Sequence, residues 1–373
     1  MTTSMTLRPA DLRSVHETVL DTPGRIAITG AGTAADWAGP LDAVDAALDT
    51  TGLTGVIAHN PGDMTVAVRA GTPLRALAEE LAPHGQHVAF DAARVADGAT
   101  VGGLIATADA GPSALVYGSL RDLVIGATVV LADGTVARSG GHVIKNVAGY
   151  DLAKLLHGSY GTLGVLVEVV LRLHPISQRT ATLALDVPLA EAAEHAARVL
   201  SGPYEPVALE WISTSPGGEG RLLIRLDGTE QALPARVQRL HEILGSPGRT
   251  ASNEPWARHA ELVRGTPGLA VVRVGVRPSE LPGLLAALPV NAVTAGLGTG
   301  VATVALAPEA VAQAHTLVHA AGGTSVLRSR PTGCDAPAWG PPPSALPVLH
   351  AVKTALDPDG RFGPGRFAPW LVP

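Results

Sequence analysis

Arg25-Ile26-Ala27-Ile28-Thr29-Gly30-Ala31-Gly32-Thr33 is an apolar, strand-like run that stops in a pair of glycines. Arg25 to Thr29 reads as a short strand, and Gly30-Ala31-Gly32-Thr33 as the loop it feeds. Without side chains, the backbone at Gly30 and Gly32 can come close to a ligand, and successive N–H groups can form a nest for an anion. The Thr33 hydroxyl adds a donor. A single loop of this kind is more often a plain turn, so its neighbours matter.

Two further loops share its character. In Gly98-Ala99-Thr100-Val101-Gly102-Gly103, Thr100 suits the cap of a helix starting at Val101. The N-terminus of that helix would add positive dipole toward an anion. In Tyr117-Gly118-Ser119-Leu120-Arg121-Asp122, the Ser119 hydroxyl can donate. Arg121 and Asp122 either cap a turn there or touch a ligand. A Rossmann fingerprint is the natural rival, but no G-x-G-x-x-G stands between a strand and a helix. The residues alone leave both simple turns and a dinucleotide cradle open.

Outward from these loops, the first 175 residues alternate strand-like and helix-like segments. Met64, Val66, Val68 and Ala70 alternate as in a strand, then Thr72 and Pro73 suit the cap and first position of a helix. Leu74, Leu77, Ala78 and Leu81 fall on one helical face, and Gly85 ends it. Val124 to Leu131 reads as a buried strand, turned at Asp133-Gly134 into Thr135 to Ser139. A short helix over Asp151 to Leu156 and a strand over Val165 to Leu173 follow.

From Ser177 to about Pro343 the pattern changes. Helices are expected at Ala190 to Leu200, Leu233 to Leu244 and Pro308 to Ala321. Strands are expected at Thr182 to Val187, Arg221 to Asp227, Ala270 to Val276 and Val301 to Leu306. This predicts an α+β unit with an antiparallel sheet. Pro341, Pro342 and Pro343 form a stiff connector, and one helix, Ser344 to Leu356, precedes a Gly/Pro-rich tail.

The chain has 373 residues, of which 46% are apolar and only 3% aromatic. That length exceeds the roughly 100–200 residues of one domain and predicts two. A formal charge of −6 with scattered Lys and Arg argues against a nucleic-acid surface. Cys334 is the single cysteine. It excludes an internal disulfide and an iron–sulfur cluster built from this chain alone. The uncharged stretch Leu281 to Pro308 is broken by Pro289, Asn291, Gly296, Gly298 and Gly300. It reads as a buried hairpin rather than a membrane span, and with no signal-peptide pattern the expectation is a soluble, cytoplasmic protein.

The histidines suggest no metal site. His315 and His319 lie four apart without a carboxylate and read as paired surface residues. His84 and His87 flank Gly85 in a turn. His142 stands just before Lys145 and Asn146 in a loop that can face a bound cofactor. No Ser/His/Asp or Cys/His constellation can be assembled.

Taken in order, these segments resemble the vanillyl-alcohol-oxidase/p-cresol-methylhydroxylase flavoproteins. Gly30 to Thr33 resembles their pyrophosphate loop, and Ala99 to Ala106 their second phosphate-facing segment. Gly118 to Asp122, Val130-Leu131-Ala132-Asp133-Gly134 and Gly158 to Val165 follow in the same order. Leu356-Asp357-Pro358 and Phe362 to Arg366 are similar to the tail that returns to the FAD domain. Ile144-Lys145-Asn146-Val147-Ala148-Gly149-Tyr150-Asp151-Leu152 resembles the FAD-binding subunit of glycolate oxidase. Tyr160 stands where the D-lactate dehydrogenase relatives usually carry Glu. The second half also lacks their histidine-rich metal stretch.

The resemblance implies a two-subdomain FAD-binding domain over residues 1–176, an α+β cap over 177–343 and a returning segment over 344–373. It implies FAD held by Gly30, Ala31, Gly32, Thr33, Thr100, Val101, Gly102, Gly103, Gly118, Ser119, Arg121, Asp122, Gly164 and Val165. No His follows Gly32, so the flavin is expected to be non-covalent. Gly363 replaces a frequent Asn, which puts one flavin contact in doubt. The implied partners are a catalytic flavoprotein subunit, an iron–sulfur subunit and a small 2-hydroxy-acid substrate. Through such partners the chain would lie at the inner face of the membrane. A self-sufficient dehydrogenase would need a cap arginine such as Arg221, Arg225, Arg273 or Arg277, and a non-catalytic assembly subunit is the third reading.

Overall fold

The computed structural model describes residues 5–143, 150–214, 218–245, 249–251 and 254–371. The Ile144 to Gly149 part of the subunit-like stretch therefore lies outside the described residues. The chain divides into two compact units. The first joins Met1–Ala110, Tyr117–Ile176 and Pro342–Pro373, and the second joins Gly111–Val116 and Ser177–Pro341.

The first unit begins with a small parallel sheet, in the order Met5–Leu7, Ala46–Asp49, Ile26–Thr29. The helix Leu12–Asp21 packs beside it. Asp11 caps this helix by accepting from the Ser14 N–H at 2.7 Å, and Val15 and Val19 are fully buried. A five-stranded antiparallel sheet follows the order Val56–Asn60, Thr65–Arg69, Val165–Arg172, Val124–Val130, Val136–Gly140. Val165–Arg172 buries every second residue. Val165 and Val167 join Ile26, Leu48 and Phe362 in one core, while Val169 and Leu171 join Leu74, Leu77, Leu104 and Leu120 in another. One strand thus serves two cores because its period of two keeps one face inward along its whole length.

The helix expected after Gly71 is present as Leu74–Leu81, but its cap differs. Pro73 occupies the N-cap with no side-chain bond. The Thr72 hydroxyl accepts from the Gly55 N–H at 2.9 Å instead. A tertiary donor has won the oxygen that local sequence assigns to the helix.

In the second unit an eight-stranded antiparallel sheet runs in the order Arg249–Ala251, Arg179–Asp186, Arg221–Gly228, Ala208–Ser213, Ala292–Gly296, Val301–Leu306, Ala270–Gly275, Thr324–Ser329. Helices Leu189–Leu200, Leu233–Leu244, Leu281–Ala287 and Val311–Ala320 pack against strand residues such as Trp211, Ile224, Val272 and Val304. Alternate residues of the same strands, among them Ile212, Leu223 and Ala305, meet Leu262 of the helix Glu254–Arg264.

Two expectations for this unit need correction. Leu281 to Pro308 is not all hairpin. Leu281, Leu284 and Leu285 have helical spacing and are buried in the helix Leu281–Ala287, and only Ala292–Gly296 with Val301–Leu306 forms the hairpin. His315 and His319 are not paired surface residues. His319 is exposed, but His315 is only 2% exposed. The His315 Nε2–H donates to the Pro337 carbonyl at 3.1 Å, and Nδ1 accepts from Ser325 Oγ at 2.6 Å.

Among the described residues, no helix is long and apolar enough to cross a membrane, and no group of three His, Cys, Asp or Glu could hold a metal ion.

Candidate cofactor-binding site

The strand Ile26–Thr29 delivers Gly30-Ala31-Gly32-Thr33 at its C-terminal end, where ligands of open α/β sheets sit. The Thr50 hydroxyl anchors the exit by donating to the Thr29 carbonyl at 2.9 Å. Gly32 takes φ +76°, and a Cβ there would meet nothing within 4 Å. Among the described residues, the backbone N–H groups of Ala31, Gly32, Thr33 and Ala34 donate to no protein acceptor, while the next, from Ala35, returns to the Gly32 carbonyl at 3.1 Å. Four consecutive donors around a left-handed residue make a nest suited to phosphate oxygens.

The loop lines a groove with segments from three other places in the first unit. Ala99, Thr100, Gly102 and Gly103 form a second wall. Ser159, Tyr160, Gly161 and Gly164 form a third, and Arg94 and Arg366 also line the groove. Thr100 caps the helix Val101–Ala106, its Oγ1 accepting from the Gly103 N–H at 3.2 Å. A Cβ on Gly30 would stand 2.8 Å from Thr100 Oγ1, and one on Gly103 would meet only that oxygen, at 3.0 Å. Glycine at 30 and 103 therefore keeps the groove open between the two loops.

The helix starting at Val101 does not offer its first amides to a ligand as the sequence suggests. The Val101 N–H donates to the Thr72 carbonyl at 2.9 Å and the Gly102 N–H to the Ala70 carbonyl at 2.7 Å. Protein acceptors have taken the first donors, so the nest after Thr29 is where anion-binding amides remain available.

The remaining expected residues divide between the cores, the groove and a separate turn. The Val101 and Val165 side chains are fully buried in the two cores. Gly164 lines the groove, yet a Cβ there would strike Val129 Cγ2 at 2.6 Å, so packing also demands glycine. Gly118, Ser119, Arg121 and Asp122 are not among the groove-lining residues. Asp122 accepts from the Ser119 N–H at 2.9 Å, and Ser119 Oγ accepts from the Arg121 N–H at 3.2 Å, a reciprocal cap on the helix Leu120–Leu123. Next to this turn, the Tyr117 ring meets His174 edge-on at 4.7 Å. Burial, helped by Arg172 and His87, lowers the pKa of His174. His142 is exposed, with Nδ1 accepting from Asn60 Nδ2 at 3.2 Å.

Arg94, Ser159, Tyr160, Gly161 and Arg366 line the groove without having been singled out from sequence as contacts. Tyr160 adopts φ +50°, uncommon for a residue with a side chain, and its N–H donates to the Ala106 carbonyl at 2.8 Å. The run Gly158-Ser159-Tyr160-Gly161 carries that signal in its flanking glycines. Arg94 and Arg366 have none, because nothing local marks which arginine folds back to a distant loop.

A family described as an FAD binding domain matches residues 8–140. Glycolate oxidase subunit GlcE of Escherichia coli (strain K12) is 31% identical over 322 residues, covering 86% of this chain and 86% of that one. A D-lactate dehydrogenase of Archaeoglobus fulgidus is 39% identical over 143 residues, covering 38% of this chain and 32% of that enzyme. The solved structure of alkyldihydroxyacetonephosphate synthase superposes with a TM-score of 0.69 at 16% identity, over 95% of this chain and 76% of that one, a likeness of fold. With four unsatisfied amides at the nest and a glycine-kept groove beside it, the chain belongs to the FAD-binding oxidoreductases of the vanillyl-alcohol-oxidase/p-cresol-methylhydroxylase type, in the family of glycolate oxidase subunit GlcE.

Proposed function

We propose that this chain is the FAD-binding subunit of a complex that oxidises a small 2-hydroxy acid and passes the electrons to an iron–sulfur partner. The observation that carries this reading is the 31% identity to glycolate oxidase subunit GlcE over 86% of both chains. Bound FAD would supply the hydride acceptor. The residues of this chain would bind and orient it: the Ala31 to Ala34 amides at the pyrophosphate, and Gly30 and Gly103 by keeping the walls low. Thr33 and Thr100 line the same groove. Cys334 is the one cysteine in the sequence, so electron export through an iron–sulfur centre needs another chain.

In this reading the partner flavoprotein takes the substrate proton, because no candidate base in this chain is placed by a recognisable motif. General acid–base help is worth roughly 10²–10⁴ in rate. The purified, FAD-loaded chain is therefore expected to reduce an artificial dye poorly with glycolate or D-lactate, and activity is expected once the catalytic and iron–sulfur chains are co-expressed. Steady-state turnover by the chain alone on the order of 1–10³ s⁻¹, the ordinary enzyme range, would overturn this reading in favour of a self-sufficient dehydrogenase. A purified chain with no flavin spectrum would favour an assembly subunit.

A further inference from the structure

Helix Leu346–Leu356 sets one cation against three oxygens. Lys353 Nζ donates to the Thr162 carbonyl at 2.8 Å, to Asp357 Oδ2 at 2.5 Å and to the Phe362 carbonyl at 3.1 Å, so each of its three N–H groups has an acceptor. Two of these acceptors belong to different sides of the cofactor groove. Thr162 follows Gly161 in the third wall. Phe362 forms a parallel bridge with Ile26, on the strand that delivers the nest. There the Ile26 N–H donates to the Arg361 carbonyl at 2.8 Å and the Gly363 N–H to the Ile26 carbonyl at 3.1 Å. The tail also lies close against the third wall. A Cβ on Gly363, at φ +54°, would stand 2.9 Å from Thr162 Cγ2. That wall is strained, since Tyr160 and Gly161 are consecutive left-handed residues at φ +50° and +72°. A side-chain-bearing residue keeps such a conformation only where its surroundings fix it. The Ala106 carbonyl fixes it on one side by accepting from the Tyr160 N–H at 2.8 Å, and Lys353 holds Thr162 on the other.

We infer that Lys353 is a positioning residue for FAD: by holding Thr162 and Phe362 together it sets the separation between the third wall and the strand that delivers the nest. Its N–H groups are all taken, so it acts through these two carbonyls and not on the cofactor. An ammonium on a flexible stem suits the task because it donates in three directions at once. Asp357, with its side chain 0% exposed, holds the charge in place. The inference rests on the FAD binding proposed above. A purely structural ion pair predicts something different. Removing one member strands the other, whereas removing both charges together often leaves stability near its starting value. Cofactor affinity would then follow stability.

The experiment measures FAD affinity by fluorescence titration of the apoprotein, and stability by denaturant unfolding. It compares wild type, Lys353→Met, and Lys353→Met combined with Asp357→Asn. Asparagine at 357 keeps an oxygen for the Arg361 and Phe362 N–H groups. The single variant is expected to lose stability and the double variant to recover most of it. FAD binding is expected to stay about 3- to 10-fold weaker in both, the worth of roughly one hydrogen bond, because neither ties Thr162 to Phe362. Affinity that returns to the wild-type value along with stability would make Lys353 a structural residue only and overturn the inference. Should the variants fail to fold, hydrogen exchange on the wild type decides. Bound FAD is expected to slow exchange at the Ile26 and Gly363 amides, since coupling between two sites is reciprocal. Exchange there unchanged by FAD would equally sink the positioning role. A wild type that takes up no FAD would overturn the FAD-binding reading itself, and this inference with it.

Discussion

A Cβ added at Gly102 would meet the Ala70 Cβ and carbonyl at 3.0 Å, whereas one added at Gly103 would meet only Thr100 Oγ1, on the same wall of the groove. The first glycine lets the helix sit on the strand, and the second leaves room for the cofactor. Gly103→Asp is accordingly expected to give a soluble protein whose unfolding midpoint is close to wild type but which purifies without FAD. The carboxylate would occupy the pyrophosphate's place and repel it. Near-normal visible flavin absorbance in that variant would show that the loop does not face the phosphates. At Gly30 to Thr33 two glycines after a strand mark the loop in the sequence, and, among the described residues, the structure leaves the amides of Ala31 to Ala34 without a protein acceptor there. Reading from sequence stopped short at Arg94 and Arg366, whose partners lie at Thr33 and at Ala35 to Gly39.

Helix Val311–Ala320, packed on the sheet by Val311, Ala314 and Val318, also makes a buried polar link to its neighbours through His315. His315 bridges Ser325, at the start of the next strand, and Pro337 beyond it. The Nε2 proton that serves Pro337 leaves Nδ1 as an acceptor, so the neutral imidazole fills both roles. Burial lowers the pKa of His315 from its ordinary 6.5, as it does that of His174 in the first unit. The unfolded chain therefore binds these protons at higher pH than the folded one. The stabilisation is fully present above about pH 6.5 and is lost as pH falls through the lowered folded values. The urea midpoint should drop between pH 7.5 and pH 5.5, and the drop should shrink in His315→Gln. At neutral pH, His315→Leu should cost about 1–3 kcal/mol by leaving Ser325 and Pro337 without their partner. A midpoint insensitive to acid would contradict the assignment.

The first unit is assembled from chain segments far apart, and the tail completes it. Phe362 is fully buried beside Ile26 and Leu48. Asp357, with its side chain 0% exposed, accepts from Lys353 Nζ at 2.5 Å and from the Arg361 and Phe362 N–H groups at 2.9 and 2.8 Å. Lys353 in turn donates to the Thr162 carbonyl at 2.8 Å, next to the groove's third wall. Removing one member of such a buried pair strands the other, so Asp357→Ala is expected to lower stability by about 3–5 kcal/mol, read by denaturant unfolding. A loss below about 1 kcal/mol, the worth of an exposed pair, would mean that the tail is not part of the folding unit. For the cofactor itself, acid or heat precipitation of the holoprotein should release free FAD into the supernatant, since no histidine stands in Gly30 to Thr33 to attach it. Flavin retained by the precipitate would show a covalent link.

Local chemistry by itself determined the glycine loops, the Asp133-Gly134 turn, the helix Leu233–Leu244 and the strand Val301–Leu306. Each is written in neighbouring residues, as a turn former, a 3.6-residue period or an alternation. The strand Ala208–Ser213 escaped because all six of its residues are buried, which erases the alternation that marks a strand. Only the tertiary structure decided that Thr72 caps nothing in its own helix, that the Val101 helix spends its first amides on Thr72 and Ala70, and that Gly118 to Asp122 close on themselves. A hydrogen-bonding group is claimed by whichever partner the fold brings within about 3 Å. When that partner lies tens or hundreds of residues away, the sequence shows the group but not its use.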